Sequence, residues 1–561
     1  MSHRFLLLLM VITSHATSTD DTSAPRCMFD EAIRSNSEFK LPVVRLSPPG
    51  PVGVLEATTA GESSEVWDTI RFQVFKRDIE DSSKYCTQVG QVRSNFMNAM
   101  VHCSADSVLT PEKKYTMLTG VIPTAVKMHT DRLMVKPLNT SLKVPKIPGG
   151  MCGNYNIPPE HHTAGVPGAD MVLYGSAGPM GMAAAWAAPC ALLDYHTGRP
   201  IFGVFNIGPE AISTVDGTAR VLAHEIAHAL GFGHHIMVML GMVANLTNVR
   251  GKPHSQGLKT PKVVEVGQLF FGCSTITSVE LEDEGGSGTV NSHWEARNLK
   301  EEMMTGVKST GGGFYSAFTM AFFEDTGLYK AKWGAEESMN WGYNAGCRFL
   351  EEKCVVNGKS NFPEWFCDSM LHYGERACTA DRRGLGNCRL GRVTKGLQSH
   401  HQYFGNEGLV GVAPLMDFCP IVEAYSNTGC IDGDANMMLG SRIGPNSRCV
   451  KGVDIKVSGY SNLFGDVCVD VDCNSSNVRL RLANDDEWRE CTEGTPVTSN
   501  KSFASGHVIC PKKSDVCQSR QTSRGLISFS SSDTCRCSLA WFGVLQAILW
   551  AFLRPLRSAS W

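Results

Sequence analysis

Residues 219–235 read A-R-V-L-A-H-E-I-A-H-A-L-G-F-G-H-H, and this stretch decides the fold around it. Val221, Leu222, Ile226, Ala229 and Leu230 recur at helical spacing, with Asp216 expected to cap the helix start. His224 and His228 are four apart, so a helix stacks both imidazoles on one face, where they can bind one Zn²⁺ at about 2.0–2.1 Å. Glu225 sits beside the first of them, within reach of a metal-bound water without being a ligand itself, the position of a general base. With 17 histidines in 561 residues, a chance H-E-x-x-H is not rare enough for the five residues to stand alone.

The extension adds weight. Gly231, three after His228, lets the chain leave the helix through a left-handed turn and return a third ligand, as in the metzincin pattern H-E-x-x-H-x-x-G. Compact spacing gives His234, followed directly by His235. The rival is His293, which follows a glycine-rich loop (Gly285, Gly286, Gly288), with the pair Met303 and Met304 soon after. Such a methionine fits the Met-turn beneath a metzincin zinc.

Outward from the motif, Val172-Leu173-Tyr174 and the run from Ile201 to Ile207 read as short buried strands. Beyond residue 350 cysteines crowd among Gly, Asn and Ser, the look of a loop-rich, stapled region. Ser47-Pro48-Pro49-Gly50-Pro51 breaks any regular pattern and separates a pro-segment from the folded enzyme. Residues 1–17, with His3 and Arg4 before the apolar run Phe5 to Ile12, read as a secretory signal peptide.

At the other end the apolar run Leu539 to Leu553 is short for a bilayer span, which needs roughly 20 residues. Small polar residues at Ser530, Ser531 and Ser532 precede it, the layout of a GPI-anchor signal, while Arg554 and Arg557 fit the flank of a short membrane helix. Either places the chain on the secretory route to the cell surface, attached to the membrane. Four N-x-S/T sequons, Asn139, Asn245, Asn474 and Asn500, are glycan acceptors in such a compartment.

Composition excludes other classes. Lys plus Arg number 52 against 55 Asp plus Glu, a net charge of −3 with no long basic run, so there is no electrostatic footprint for nucleic acid. The 42% apolar content is too high for a disordered chain. The 21 cysteines lie mostly outside C-x-x-C spacings and speak for an oxidising compartment. No G-x-S-x-G elbow or Walker A loop is present.

Six stretches stand out together: H-E-I-A-H-A-L-G-F at His224 to Phe232, V-E-L-E-D-E-G-G-S-G before His293, R-N-L-K-E-E-M-M at Arg297 to Met304, F-T-M-A-F-F-E-D-T-G at Phe318 to Gly327, W-G-Y-N-A-G-C at Trp341 to Cys347, and M-D-F-C-P around Cys419. On these residues the sequence resembles the leishmanolysin family, the surface metalloproteases of kinetoplastid parasites, over nearly its whole length. The resemblance implies an insertion between the helix glycine and the third histidine, hence His293 as ligand with His234 as the alternative, and Met304 as the Met-turn residue. The departure is F-G-H-H, where the family usually lacks histidines.

The 18 cysteines from Cys86 to Cys517 are enough for the nine disulfides of that family. Cys27, in R-C-M-F-D-E, then resembles its cysteine switch, a thiolate that holds the zymogen inactive; the bland reading is a disulfide to Cys535 or Cys537. The implied fold is α+β: a signal peptide (1–17), a propeptide (18–66), a metzincin-type catalytic domain with mixed sheet and zinc helix (67–233), a mostly helical middle domain (234–350), a disulfide-rich β domain (351–530) and an anchor signal or tail (531–561). The implied activity is zinc-dependent endopeptidase cleavage of extended polypeptides, with one Zn²⁺ per chain, and adhesion to host proteins. The rival reading is a surface adhesion protein that keeps the fold without catalysis.

Overall fold

The computed structural model describes residues 41, 43–44 and 66–517, apart from 182, 194–197, 307–311, 372–374, 394–395, 406–407, 461–463 and 474–476. The signal peptide, Cys27, most of the propeptide, Asn474 and the C-terminal apolar run therefore lie outside the described residues.

A five-stranded mixed sheet lies behind the motif helix. It is built from β1 (Val43–Val44), β2 (Phe72–Phe75), β3 (Met171–Ser176), β4 (Ala185–Leu193) and β5 (Arg199–Ile207), in the order β1-β4-β5-β3-β2. Strands β2, β3 and β5 run parallel, β4 runs antiparallel to β5, and β1 pairs parallel with β4. The two expected strands are β3 and β5, each buried along its whole length. Continuous apolar runs such as these suit a sheet covered on both faces.

One cover is a core that includes Leu142, Met151, Tyr155 and Trp186. The other is α2 (Val215–Ala229), which packs on β4 and β5 and, on its far side, against α1 (Ile122–Thr130). The approach of helix to sheet is close. A Cβ added at Gly203 would stand 2.9 Å from the Ala188 carbonyl oxygen and 3.2 Å from the Cβ of Ala229, so glycine at this point of β5 admits both the paired strand and the helix.

Thr214, rather than Asp216, caps α2. Its side chain accepts from the amide of Gly217, while Asp216 lies in the first turn, where its charge suits the helix dipole and reaches Arg220 at 3.5 Å. Extended backbone at Thr214 frees its hydroxyl for the exposed amide, whereas Asp216 is already helical.

Residues 234–350 hold α3 (His234–Met239), α4 (Pro261–Phe271), α5 (Ala296–Leu299) and α6 (Ala317–Asp325), and a three-stranded antiparallel sheet of β6 (Val243–Leu246), β7 (Ser255–Leu258) and β8 (Val279–Glu280). This stretch is less helical than expected, with long loops between short helices. Arg220 of α2 ties it to the motif helix through a bidentate pair with Glu337 at 2.8 Å and a bond to the Gly313 carbonyl.

From residue 351 onward short strands prevail. A four-stranded sheet (Ser447–Val450, Val467–Asp472, Val478–Arg481, Arg489–Cys491) and a three-stranded one enclose Val450, Val469, Leu480 and Val508. All 18 cysteines from Cys86 to Cys517 are paired, in nine disulfides. Six of these lie in this region: Cys354–Cys419, Cys367–Cys388, Cys378–Cys449, Cys430–Cys468, Cys473–Cys517 and Cys491–Cys510. Short strands with small cores depend on such staples. Asn139, Asn245 and Asn500 are exposed.

Candidate metal centre

His224, Glu225 and His228 lie on the buried part of α2. The helix ends just beyond, where Gly231 adopts φ +111°, a backbone conformation that glycine reaches without strain. This turn points the carbonyl of Phe232 back at His228, whose Nδ1 donates to it at 2.6 Å.

His293 arrives on a separate segment. Its carbonyl accepts from the amide of Glu282, and the next amide, of Trp294, donates to the carbonyl of Met304. The His293 segment is thus held between the chain near β8 and the turn at Met303 and Met304. His293 Nδ1 donates to the Thr289 carbonyl at 3.0 Å, and His224 Nδ1 donates to the Met303 carbonyl at 2.6 Å.

These three bonds fix the chemistry of the rings. A carbonyl can only accept, so each Nδ1 carries the proton and each Nε2 of the neutral ring presents a lone pair. The Nε2 atoms face one another at 3.1 Å (His224–His228), 3.3 Å (His228–His293) and 3.3 Å (His224–His293). Burial keeps the rings neutral: it pushes His224 down to about 4 and His293 down to about 3, and lowers His228 well below its ordinary value.

Three converging lone pairs repel unless a cation sits among them. Two nitrogens held at about 2.0–2.1 Å on tetrahedral directions stand about 3.3 Å apart, so the residues fit a three-imidazole metal centre. His224, His228 and His293 form one of the groups of side chains among the described residues able to hold an ion.

His234 is not in that group. Its amide donates to Ser292 Oγ, and its Nε2 meets Gln256 Oε1 at 2.8 Å. Met304 is fully buried, and Glu225 is 1% exposed.

Sequence reasoning missed several residues around the rings. Glu302 gathers the Met304 amide on one oxygen and the hydroxyls of Ser316 and Thr319, at 2.7 and 2.6 Å, on the other. It thereby sets the turn whose Met303 carbonyl holds His224. His129, buried on α1, reaches the Ala223 carbonyl through Nε2 at 2.9 Å and takes the Tyr315 hydroxyl at Nδ1. The E-E-M-M run was visible for its methionines; nothing in it marked the glutamate as an anchor.

A buried H-E-x-x-H helix whose two imidazoles meet a third from a distant segment defines a metallopeptidase. Comparison with known proteins narrows the class. The family model for leishmanolysin, peptidase M8, matches residues 52–523. Leishmanolysin of Leishmania major is 34% identical over 472 residues, covering 81% of this chain and 77% of its own length. The leishmanolysin homolog of Crithidia fasciculata is 33% identical over 496 residues, covering 84% and 75%. A leishmanolysin-like peptidase of Caenorhabditis briggsae is 26% identical over 545 residues, covering 73% and 81%. The chain belongs to the leishmanolysin family of metalloproteases.

Proposed function

We propose that this protein is a zinc-dependent endopeptidase of the cell surface, with His224, His228 and His293 as ligands of one Zn²⁺ and Glu225 as general base. The observation that carries the reading is the triangle of three Nε2 lone pairs, each ring oriented by its own main-chain carbonyl.

When bound, zinc would supply a Lewis acid for the scissile carbonyl and lower the pKa of water toward about 7. Three neutral imidazoles leave a fourth position for substrate and water. Glu225 takes the proton of the attacking water and returns it to the leaving amine, so no serine or cysteine nucleophile is needed. Met304, buried beside the His293 segment, serves as the apolar floor of the site.

The rest of the reading follows the family. Residues 67–233 carry the catalytic helix, 234–350 bring in His293, and 351–530 form the stapled β region. Cys27, which is not among the 18 paired cysteines from Cys86 to Cys517, is read as the zymogen switch, with a disulfide to Cys535 or Cys537 as the rival. The amino-terminal signal and the carboxy-terminal anchor place the enzyme at the membrane, where extended polypeptides and host proteins are its partners. Among the described residues no helix is long and apolar enough to cross a membrane.

The test is zinc content and caseinolysis of the processed ectodomain. Glu225→Ala keeps its zinc and loses activity by about 10²–10⁴-fold. His293→Ala loses activity together with the zinc of the three-histidine centre, and His234→Ala loses neither. A wild type that binds no zinc and cuts nothing would hand the fold to the adhesion reading.

A further inference from the structure

Behind the His293 segment lies a buried group of charges. Arg250 meets Glu280 and Asp417 at 2.8 Å each, and Lys252 meets Glu280, Asp283 and Asp417 at 2.9, 2.8 and 3.2 Å. Lys252 also lies 3.8 Å from Glu295, and the buried Arg297 adds its charge opposite Glu280 and Asp417. Burial, added to the neighbouring acids, raises the carboxyls of Asp283 and Glu284 above the ordinary range.

At the edge of this group the short turn Ser399–His401 brings two adjacent histidines against Glu284. His401 is 2% exposed, and its Nε2 has no hydrogen-bond partner. That nitrogen lies 3.7 Å from Glu284 Oε1 and 3.8 Å from Asp417 Oδ1, too far for hydrogen bonds. The His400 ring lies 4.2 Å from that of His401, centre to centre. One ligand atom from each of Glu284, His400 and His401 falls within 4.8 Å of the others.

We propose that Glu284, His400 and His401 form a second metal site, separate from the three-histidine centre, that takes a zinc-class divalent cation. Two imidazoles and one carboxylate are a zinc donor set, with water completing the tetrahedron. Calcium and magnesium prefer shells built wholly of oxygen. The His401–Glu284 pair stands at 3.7 Å, and all three ligand atoms lie within 4.8 Å of one another, against about 3.3 Å between donors around a tetrahedral zinc.

The site has a consequence for the first centre. Thr289 Oγ1 donates to the Glu284 carbonyl, and the Thr289 carbonyl accepts from His293 Nδ1. An ion held on Glu284 stiffens the loop that orients the His293 ring, so the second site acts as a brace for the first. Partners that orient a ligand typically change metal affinity by 10–100-fold.

The experiment is metal counting on the full secreted ectodomain, equilibrated with buffered free zinc, by mass spectrometry of the metal and independently by titration against a chromophoric zinc indicator. Wild type holds two equivalents. His400→Ala and Glu284→Gln, at partly exposed positions, each hold one, and their remaining ion is bound 10–100-fold more weakly. His293→Ala also holds one, retained at the second site. A wild type with one equivalent by both methods overturns the proposal, as does a His400→Ala protein with two. If His293→Ala instead keeps two equivalents, the three-histidine centre is misassigned while the second site is judged by His400→Ala alone.

Discussion

His224 and Met303, 79 positions apart in sequence, are joined by a 2.6 Å hydrogen bond from the imidazole Nδ1 to the main-chain carbonyl. The methionine thus acts through its backbone, and whatever holds that backbone holds the ring. The next amide, of Met304, is gripped by the Glu302 carboxylate, which also receives Ser316 and Thr319.

Replacing Glu302 with alanine leaves three buried donors without an acceptor, at about 1–3 kcal/mol each. The expected loss is about 3 kcal/mol or more in urea unfolding, together with weaker metal retention. Burial pushes the Glu302 carboxyl up to about 7, against about 4.3 in an unfolded chain. The unfolded state therefore ionises first, and this group's contribution, intact below about pH 4, is lost as pH rises through 7. Glu302→Gln should flatten the fall in stability between pH 5 and 7.5. An unchanged slope would show that the carboxyl titrates elsewhere.

Gly231 directs the Phe232 carbonyl at His228 from a backbone angle of φ +111°. The space beside it is open enough for a methyl, the nearest atom being Pro200 Cγ at 3.5 Å. The cost of Gly231→Ala is therefore conformational, about 1–3 kcal/mol, and it falls on the turn that orients His228. Expected are a lower thermal midpoint and faster zinc loss to a chelator. A variant with the wild-type rate of loss would separate the turn from metal retention.

What the sequence shows of this protein is what repeats locally. Helical spacing at Val221, Leu222 and Ile226 marks α2, and apolar runs mark β3 and β5, because burial on a helix stripe or a covered strand leaves a periodic trace. The hinge at Gly231 was legible for the same reason: a positive φ asks for glycine. The carbonyls of Met303, Phe232 and Thr289 leave no trace, since every residue has one. The partners Arg220–Glu337 and Arg250–Asp417 are separated by 117 and 167 positions, so no local pattern links them. The cap was placed two residues late because Asp216 and Thr214 are both cap formers, and only the backbone angle at Thr214 distinguishes them.

Arg250 illustrates how strongly the buried charges depend on one another. Its guanidinium pairs with Glu280 and Asp417, both nearly inaccessible, and its removal leaves Lys252 as the ion-pair partner that the two carboxylates share. Loss of one partner of a buried pair costs about 3–5 kcal/mol, so Arg250→Ala should fold poorly and be secreted at low yield. Lys127→Ala breaks a surface pair with Asp131 and should change stability by about 0.5 kcal/mol or less. Equal effects of the two variants on the thermal midpoint would refute the contrast.

Acid should act on the metal-free protein through the three imidazoles. Their folded values are depressed, to about 4 for His224 and about 3 for His293 and with His228 lower than ordinary, while in an unfolded chain each lies near 6.5. As pH falls below about 6.5 the unfolded state takes up protons that the folded state refuses. The stability these residues contribute is thus complete above that pH and is lost as pH falls toward the folded values. Between pH 6 and 5 the slope approaches about 1.4 kcal/mol per pH unit for each histidine. Urea midpoints of the apo ectodomain at pH 7.5, 6 and 5 should therefore fall steeply. Zinc should raise all three midpoints without moving the onset of the fall, which the unfolded chain sets near 6.5. The apo form of His293→Ala, with one refusing site fewer, should show a shallower fall. An apo wild type whose midpoint is level from pH 7.5 to 5 would mean that the rings are protonated in the folded protein, and with that the lone-pair triangle itself would be lost.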